Sequence, residues 1–285
     1  PLSRKPRHYS YSISLYTKVK IKSRKLLTKT LFGIIILTEN ITRINYMRIK
    51  DNHWLLQNPV AHRGLHGNGI PENSMEAFKA AIMSGYPIET DVQLTKDNAL
   101  LCFHDDSLKR MTGVDSLIWD KSFEEARALK LAETEEVIPT FDELLSFVDG
   151  RVPLVIELKS QRTKGVIVDE VIKRLDLYEG EFVVQSFDPF IMREFRKKRP
   201  EYIRGQLIDK DRHKNLSYIA DKLLSVAFFN FMVKPDFMNM NVKYLPVSNR
   251  MKKGRRVISW TIRNEADKEK AEKYADNYIF ENIRP

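Results

Sequence analysis

Pro87-Ile88-Glu89-Thr90-Asp91-Val92-Gln93-Leu94 alternates with a period of two, the mark of a β-strand. Glu89 and Asp91 are two residues apart, so on a strand both carboxylates point to one face. Charges inside an apolar strand are costly unless they are paired or bound to a metal. The same device returns in Leu154-Val155-Ile156-Glu157-Leu158-Lys159, where Glu157 and Lys159 share a face. Two strands that carry charge inward, joined by helix-forming sequence, point to a parallel sheet whose strand ends build a site.

The rest of the chain repeats the alternation. Residues 59–61, 100–103, 182–187, 203–208, 257–261 and 278–280 read as strands, and 228–232 as a weak one. Helices are predicted from Asn73, as cap with Glu76 at the third position, to Gly85, and over 122–129, 140–148, 166–175, 189–199, 216–226 and 265–274. About eight strands with intervening helices predict an α/β fold, a closed (β/α)8 TIM barrel. Residues 105–139 are too long for an ordinary strand-to-helix loop and read as a small insertion.

Residues 47–285 are the size of one such barrel, typically about 250 residues. Residues 1–46 read differently. They hold ten of the 48 basic residues and one of the 38 acidic ones, leaving 38 bases against 37 acids on the body. A nucleic-acid-binding domain carries its positive charge on the folded body, so no nucleic-acid partner is expected. The apolar run Leu31-Phe32-Gly33-Ile34-Ile35-Ile36-Leu37 is too short to span a bilayer, which needs about 20 residues. The arm is expected to be a disordered extension outside the fold. Membrane contact through it is the less favoured reading, and a cytoplasmic location the favoured one. One cysteine, Cys102, excludes an intramolecular disulfide and a cysteine-based zinc site; it reads as buried packing.

Four strand-end clusters carry chemistry: His62-Arg63-Gly64, Glu89-x-Asp91, His104-Asp105 and Glu157-x-Lys159. Three carboxylates without cysteine describe a hard-oxygen site for Mg²⁺, Ca²⁺ or Mn²⁺. Two histidines supply an acid/base pair, and Arg63 and Lys159 supply positive charge for an anion. Together they suit phosphodiester cleavage. Trp260, at a late strand end, is a candidate for the pocket wall. His53, His66 and His213 lack such context and read as loop or surface residues.

In order, Ala61-His62-Arg63-Gly64, Pro71-Glu72-Asn73-Ser74, Glu89-Thr90-Asp91-Val92, Phe103-His104-Asp105, Ile156-Glu157-Leu158-Lys159, Gln185-Ser186-Phe187, Ser259-Trp260-Thr261 and Ile279-Phe280-Glu281-Asn282 resemble the glycerophosphodiester phosphodiesterases. The resemblance covers about 60–285. It implies a barrel with a small insertion after the second or third strand. It implies hydrolysis of small-molecule glycerophosphodiesters, in lipid and glycerol metabolism, to glycerol 3-phosphate and an alcohol. It also implies one divalent cation, Mg²⁺ or Ca²⁺. By motif, His62 and His104 become base and acid, Glu89, Asp91 and Glu157 metal ligands, and Arg63 and Lys159 phosphate contacts. The chain departs from the pattern at Ser74, in the long loop 65–70, and at Glu281-Asn282, where the family commonly has Thr-Asp. The attacker is either water or the substrate's own hydroxyl, the second giving a cyclic phosphate. A phospholipase-type cleaver and a non-catalytic barrel are the rival readings.

Overall fold

Nine strands make one sheet in the computed structural model, which describes residues 48–161, 164–209 and 230–285. They are β1 Val60–Ala61, β2 Ile88–Leu94, β3 Leu100–Cys102, β4 Leu154–Leu158, β5 Phe182–Ser186, β6 Arg204–Ile208, β7 Phe237–Asn241, β8 Arg256–Ile262 and β9 Asn277–Phe280. All but β3 run parallel. The order β1-β9-β8-β7-β6-β5-β4-β2 closes through β1–β2, where Ala61 pairs with Ile88. The eight parallel strands are a (β/α)8 barrel, as the sequence predicts.

Helices follow the strands and bury apolar faces against them. Phe141–Val148 begins at a capping box: Thr140 accepts from the Glu143 backbone N–H while the Glu143 carboxylate accepts from that of Thr140. It buries Phe141, Leu144, Leu145 and Val148. Lys164–Leu175 buries Ile167, Val168, Val171, Ile172 and Leu175 at helical spacing. Glu265–Tyr274 has its predicted bounds.

Three expectations are corrected. The run 100–103 is no barrel strand. Its β3 pairs antiparallel with β2, Val92 opposite Cys102 and Leu94 opposite Leu100. Val92 also pairs with Leu158, so β3 lies on the edge of β2 away from β4, the edge that β1 leaves after Ala61. The helix Met75–Met83 is capped by Ser74, whose hydroxyl accepts from the Ala77 N–H, and not by Asn73. Asn73 instead takes a left-handed φ of 51° and turns into the site. Of the predicted strand 228–232, Asn230–Val233 is helical, and the strand is Phe237–Asn241. The predicted helix 216–226 and the arm 1–46 lie outside the described residues.

The insertion has its own core. Leu101, Phe103, Leu108, Met111, Ile118, Ala126, Leu131 and Ile138 form a cluster distinct from the barrel's. Two short helices, Lys109–Thr112 and Phe123–Arg127, lie in it, the second with a Ser122–Glu125 capping box. It is closed at its base by a bridge between Leu101 and Thr140 and by the Cys102 N–H donating to Pro139 O at 2.8 Å. Cys102 is fully buried, and burial pushes its thiol up to about 12. No helix among the described residues is long and apolar enough to cross a membrane.

Candidate active site

The site begins where the barrel closes. β1 pairs with β9 in the register Val60–Ile279, Ala61–Phe280, and the His62 N–H donates to Phe280 O at 2.9 Å. His62 and Glu281 therefore emerge side by side. The His62 Nδ1–H donates to Glu281 Oε2 at 2.5 Å. Its Nε2 lies 3.9 Å from Glu89 Oε2. The other Glu281 oxygen accepts from Arg263 Nε, at the end of β8. Burial pushes the His62 imidazole down to about 4 against the pull of Glu281, with Arg63 adding to the fall. His62 is thus neutral near pH 7. Glu281 is itself partly buried, yet His62, His66 and Arg263 hold its carboxyl well below the usual range.

The next two residues turn the chain sharply. Arg63 and Gly64 have φ of 53° and 77°. A Cβ on Gly64 would stand 2.8 Å from the Ala77 backbone carbonyl carbon, so only glycine fits there. Arg63 is held in its left-handed conformation from both sides. Its N–H donates to Glu89 Oε2 at 3.1 Å, and its carbonyl accepts from the Asn73 N–H at 2.9 Å. Its guanidinium reaches Glu72 at 2.8 Å and Asp91 at 3.3 Å.

Glu89, Asp91 and Glu157 each offer an oxygen, and the three lie within 4.8 Å of one another. Register does this: Asp91 pairs with Glu157 across β2 and β4. Lys159 Nζ lies 2.7 Å from Asp91 Oδ1 and 2.6 Å from Glu157 Oε1. Asn73 Nδ2 donates to Asp91 Oδ2 at 2.9 Å, and Thr90 Oγ1 donates to Asn73 Oδ1. Burial opposes ionisation of Asp91, but Lys159, His104 and Arg63 hold it below the usual carboxylate range. Burial, then the charges of Asp91 and Glu157, push Glu89 well above it. Three carboxylates so crowded that one resists ionising fit a divalent cation, and their hard oxygens suit Mg²⁺, Ca²⁺ or Mn²⁺.

His104 arrives from the other direction. β3 runs back along β2 until the Phe103 N–H donates to Asp91 O at 3.0 Å, which sets His104 beside the carboxylates. Asp105 Oδ1 accepts from His104 Nδ1 at 2.6 Å. Arg110, in the insertion, clamps Asp105 Oδ2 at 2.6 Å and Glu72 Oε1 at 2.6 Å. Burial would raise Asp105, but His104 and Arg110 hold it below the usual range.

A cavity of about 330 Å³ joins these pieces, lined by His62, Arg63, Glu89, His104, Glu157 and Trp260, with Gln185, Phe187, Leu207, Thr261, Arg263 and Ile279 completing the wall. Trp260 meets Phe187 edge-on, centroids 5.5 Å apart, and its buried Nε1–H has no hydrogen-bond partner among the described residues. Two larger clefts lie elsewhere, one beneath the barrel at Trp54, Pro87 and Pro153, the other beside Tyr178.

Sequence reasoning saw Glu72 and Glu281 only as motif residues without a role, and missed Arg263, Arg110 and His66. His66 read as a loop residue, but its Nε2 lies 3.6 Å from Glu281. His53 serves only the helical turn Trp54–Leu56, where its ring accepts from the Leu55 N–H at 3.2 Å. His213 lies outside the described residues.

Residues 62–280 match the model of the glycerophosphoryl diester phosphodiesterase family. The chain is 31% identical over 215 residues to YhdW of Bacillus subtilis (strain 168), a protein provisionally named for that activity, with 72% of this chain and 86% of the relative covered. It is 29% identical over 226 residues to the glycerophosphodiester phosphodiesterase of Caldanaerobacter subterraneus subsp. tengcongensis, covering 74% and 88%. Its fold resembles that of an Oleispira antarctica phosphodiesterase solved with the product sn-glycerol 3-phosphate, with TM-score 0.66, 23% identity and coverage of 79% and 92%. The barrel, the order of its strand-end residues and these likenesses agree: the chain is an enzyme of the glycerophosphodiester phosphodiesterase family.

Proposed function

We propose that the enzyme hydrolyses small glycerophosphodiesters to glycerol 3-phosphate and an alcohol, with His62 as general base, His104 as general acid and a divalent cation held by Glu89, Asp91 and Glu157. The observation that carries this reading is that both histidines line one cavity while a carboxylate already engages the Nδ1 of each. Each ring therefore keeps Nε2 for the substrate. His62 is neutral at working pH, so it can take a proton from the attacking oxygen, whether that belongs to water or to the substrate's own hydroxyl. His104 returns a proton to the leaving alkoxide as the P–O bond breaks, so the proton count closes over one turnover. Arg63 faces the phosphate from the cavity wall, and Lys159 offsets the charge of the carboxylates beneath it. The unpartnered Trp260 Nε1–H is a donor for a substrate oxygen. A bound Mg²⁺ or Ca²⁺, or Mn²⁺ in their place, would offset charge building on the phosphate oxygens.

The Oleispira protein, of like fold, held glycerol 3-phosphate, and a cavity of about 330 Å³ suits a ligand of that class. The test is glycerol 3-phosphate release from a panel of glycerophosphodiesters, with a lysophospholipid as rival substrate. Each is assayed after chelation and after return of Mg²⁺, Ca²⁺ or Mn²⁺. Chelation should lower turnover at least 100-fold, and one of the three ions should restore it. Full activity in the verified metal-free protein would overturn the metal role. Failure to cleave any small diester, with the lysophospholipid cleaved, would overturn the substrate class.

A further inference from the structure

We infer that Glu281 is the positioning residue for His62, fixing which ring nitrogen faces the substrate. The inference rests on the reading of His62 as the base. Four residues stand in a row where the barrel closes: Arg263 after β8, Glu281 after β9, His62 after β1 and Glu89 in β2. The row is set by register, since Ile262 pairs with Phe280, Phe280 with Ala61 and Ala61 with Ile88. The Glu281 N–H donates to Ile262 O at 3.0 Å, which ties its backbone to β8 as His62 is tied to β9.

Both oxygens of Glu281 are committed. Oε1 accepts from Arg263 Nε, and Oε2 accepts from His62 Nδ1 at 2.5 Å. The His66 Nε2 stands 3.6 Å from that second oxygen. The Glu281 and His62 side chains are each 11% exposed, so water offers little competition for the contact. A neutral imidazole carries one proton. With that proton held on Nδ1 by an ionised carboxylate, the lone pair can sit only on Nε2. That is the atom pointing toward Glu89 and the cavity. Without Glu281 the proton is free to occupy Nε2, and a ring protonated there cannot accept from an attacking oxygen. A carboxylate behind a catalytic histidine, in the triad hydrolases, is worth about 10⁴-fold when its loss lets the wrong tautomer form. Here the backbone ties of His62 remain, so a loss of about 10²-fold or more is expected.

The competing role is purely architectural: Glu281 would pair with Arg263 to seal the last strand, with His62 a bystander. A double-mutant cycle separates the two. kcat, KM, metal affinity and the unfolding midpoint are measured for the wild type, His62→Ala, Glu281→Ala and His62→Ala/Glu281→Ala. Glu281→Ala should lower kcat about 100-fold or more, with KM within threefold and metal affinity unchanged. The double variant should be no more than about twofold slower than His62→Ala, because groups acting as a unit are not additive. Losses that multiply in the double variant would overturn the inference. So would a kcat within threefold of wild type for Glu281→Ala when His62→Ala is itself impaired. Wild-type rates in His62→Ala would bring down the base assignment and this inference with it. If Glu281→Ala does not fold, Glu281→Gln keeps the volume and one acceptor, and the same cycle applies. Its kcat should fall at least tenfold, and multiplicative losses would again decide against the inference.

Discussion

The two histidines stand in corners built to one plan from different materials. Each has a carboxylate on Nδ1 and an arginine behind the carboxylate: Glu281 and Arg263 for His62, Asp105 and Arg110 for His104. The first corner is barrel wall, made by the ends of β1, β9 and β8. The second is carried by the insertion and its separate core. The His62 side chain is 11% exposed and that of His104 33%. Burial is what pushes His62 down and keeps it neutral, which a base requires. A general acid has to meet a departing alcohol, and the more open corner is the one that can release it. On the proposed roles, a histidine, a carboxylate and an arginine would serve opposite ends of a proton transfer, the more buried set as base and the more open one as acid.

The largest expected effect breaks this pair directly. His62→Ala and His104→Ala should each lower kcat/KM for a glycerophosphodiester by about 10²–10⁴-fold, the worth of general acid–base help. A nitrophenyl phosphodiester scarcely needs its leaving oxygen protonated. On that substrate His104→Ala should recover most of its loss and His62→Ala should not. Equal recovery would show that the roles are not divided as the corners suggest. The pH profile sharpens the point. With His62 titrating near 4, kcat/KM should hold as pH falls to about 5 and drop tenfold per unit below 4. An acid limb near 6.5, the ordinary value for histidine, would show that the buried corner does not hold the base.

A smaller effect probes the materials. Leu131, 1% exposed in the insertion core, should cost about 2–5 kcal/mol on replacement by alanine. Because that core is separate, Leu131→Ala should abolish activity at a lower denaturant concentration than it melts the barrel's circular dichroism. Coincident transitions would show that the two corners share one cooperative unit. The smallest effect should come from removing residues 1–46, which hold no motif residue. We expect kcat/KM within twofold and an unchanged melting temperature. A truncated protein that loses its thermal transition would place the arm in the fold.

What the sequence made legible follows from how far each signal reaches. Glu89, Asp91, Glu157 and Lys159 were readable because a two-residue period inside an apolar strand fixes their facing locally. The helix beginning at Thr140 was readable because its cap and its apolar spacing lie within one short stretch of chain. The direction of β3 was not, since Leu100-Leu101-Cys102 reads as buried whichever way it runs. The strand Phe237-Met238-Asn239-Met240-Asn241 was hidden by its composition. It has no β-branched residue, and its Asn239 is buried in the barrel, where it donates to Gln185 at 2.8 Å. Glu281 was seen only as an oddity of the tail, because its meaning depends on a partner 219 residues away. His66 lies in a glycine-rich loop with no periodicity to aim it.

The insertion leaves and rejoins the barrel at nearly one point, the bridge of Leu101 to Thr140 and the bond from Cys102 to Pro139. A segment with such a narrow neck behaves as an exchangeable cassette: its length and surface can drift without shifting the register of any barrel strand. His104 and Asp105, the proposed acid and its partner, travel with it, while Glu89, Asp91, Glu157 and His62 stay in the frame. On the proposed roles, swapping the cassette would retune the choice of leaving alcohol and leave the barrel's carboxylates and His62 in place. Grafting the 104–139 segment of a relative onto this barrel should therefore change headgroup preference while the metal requirement stays as it is. A graft that altered the metal requirement and left headgroup preference alone would show that the neck does not isolate the two halves.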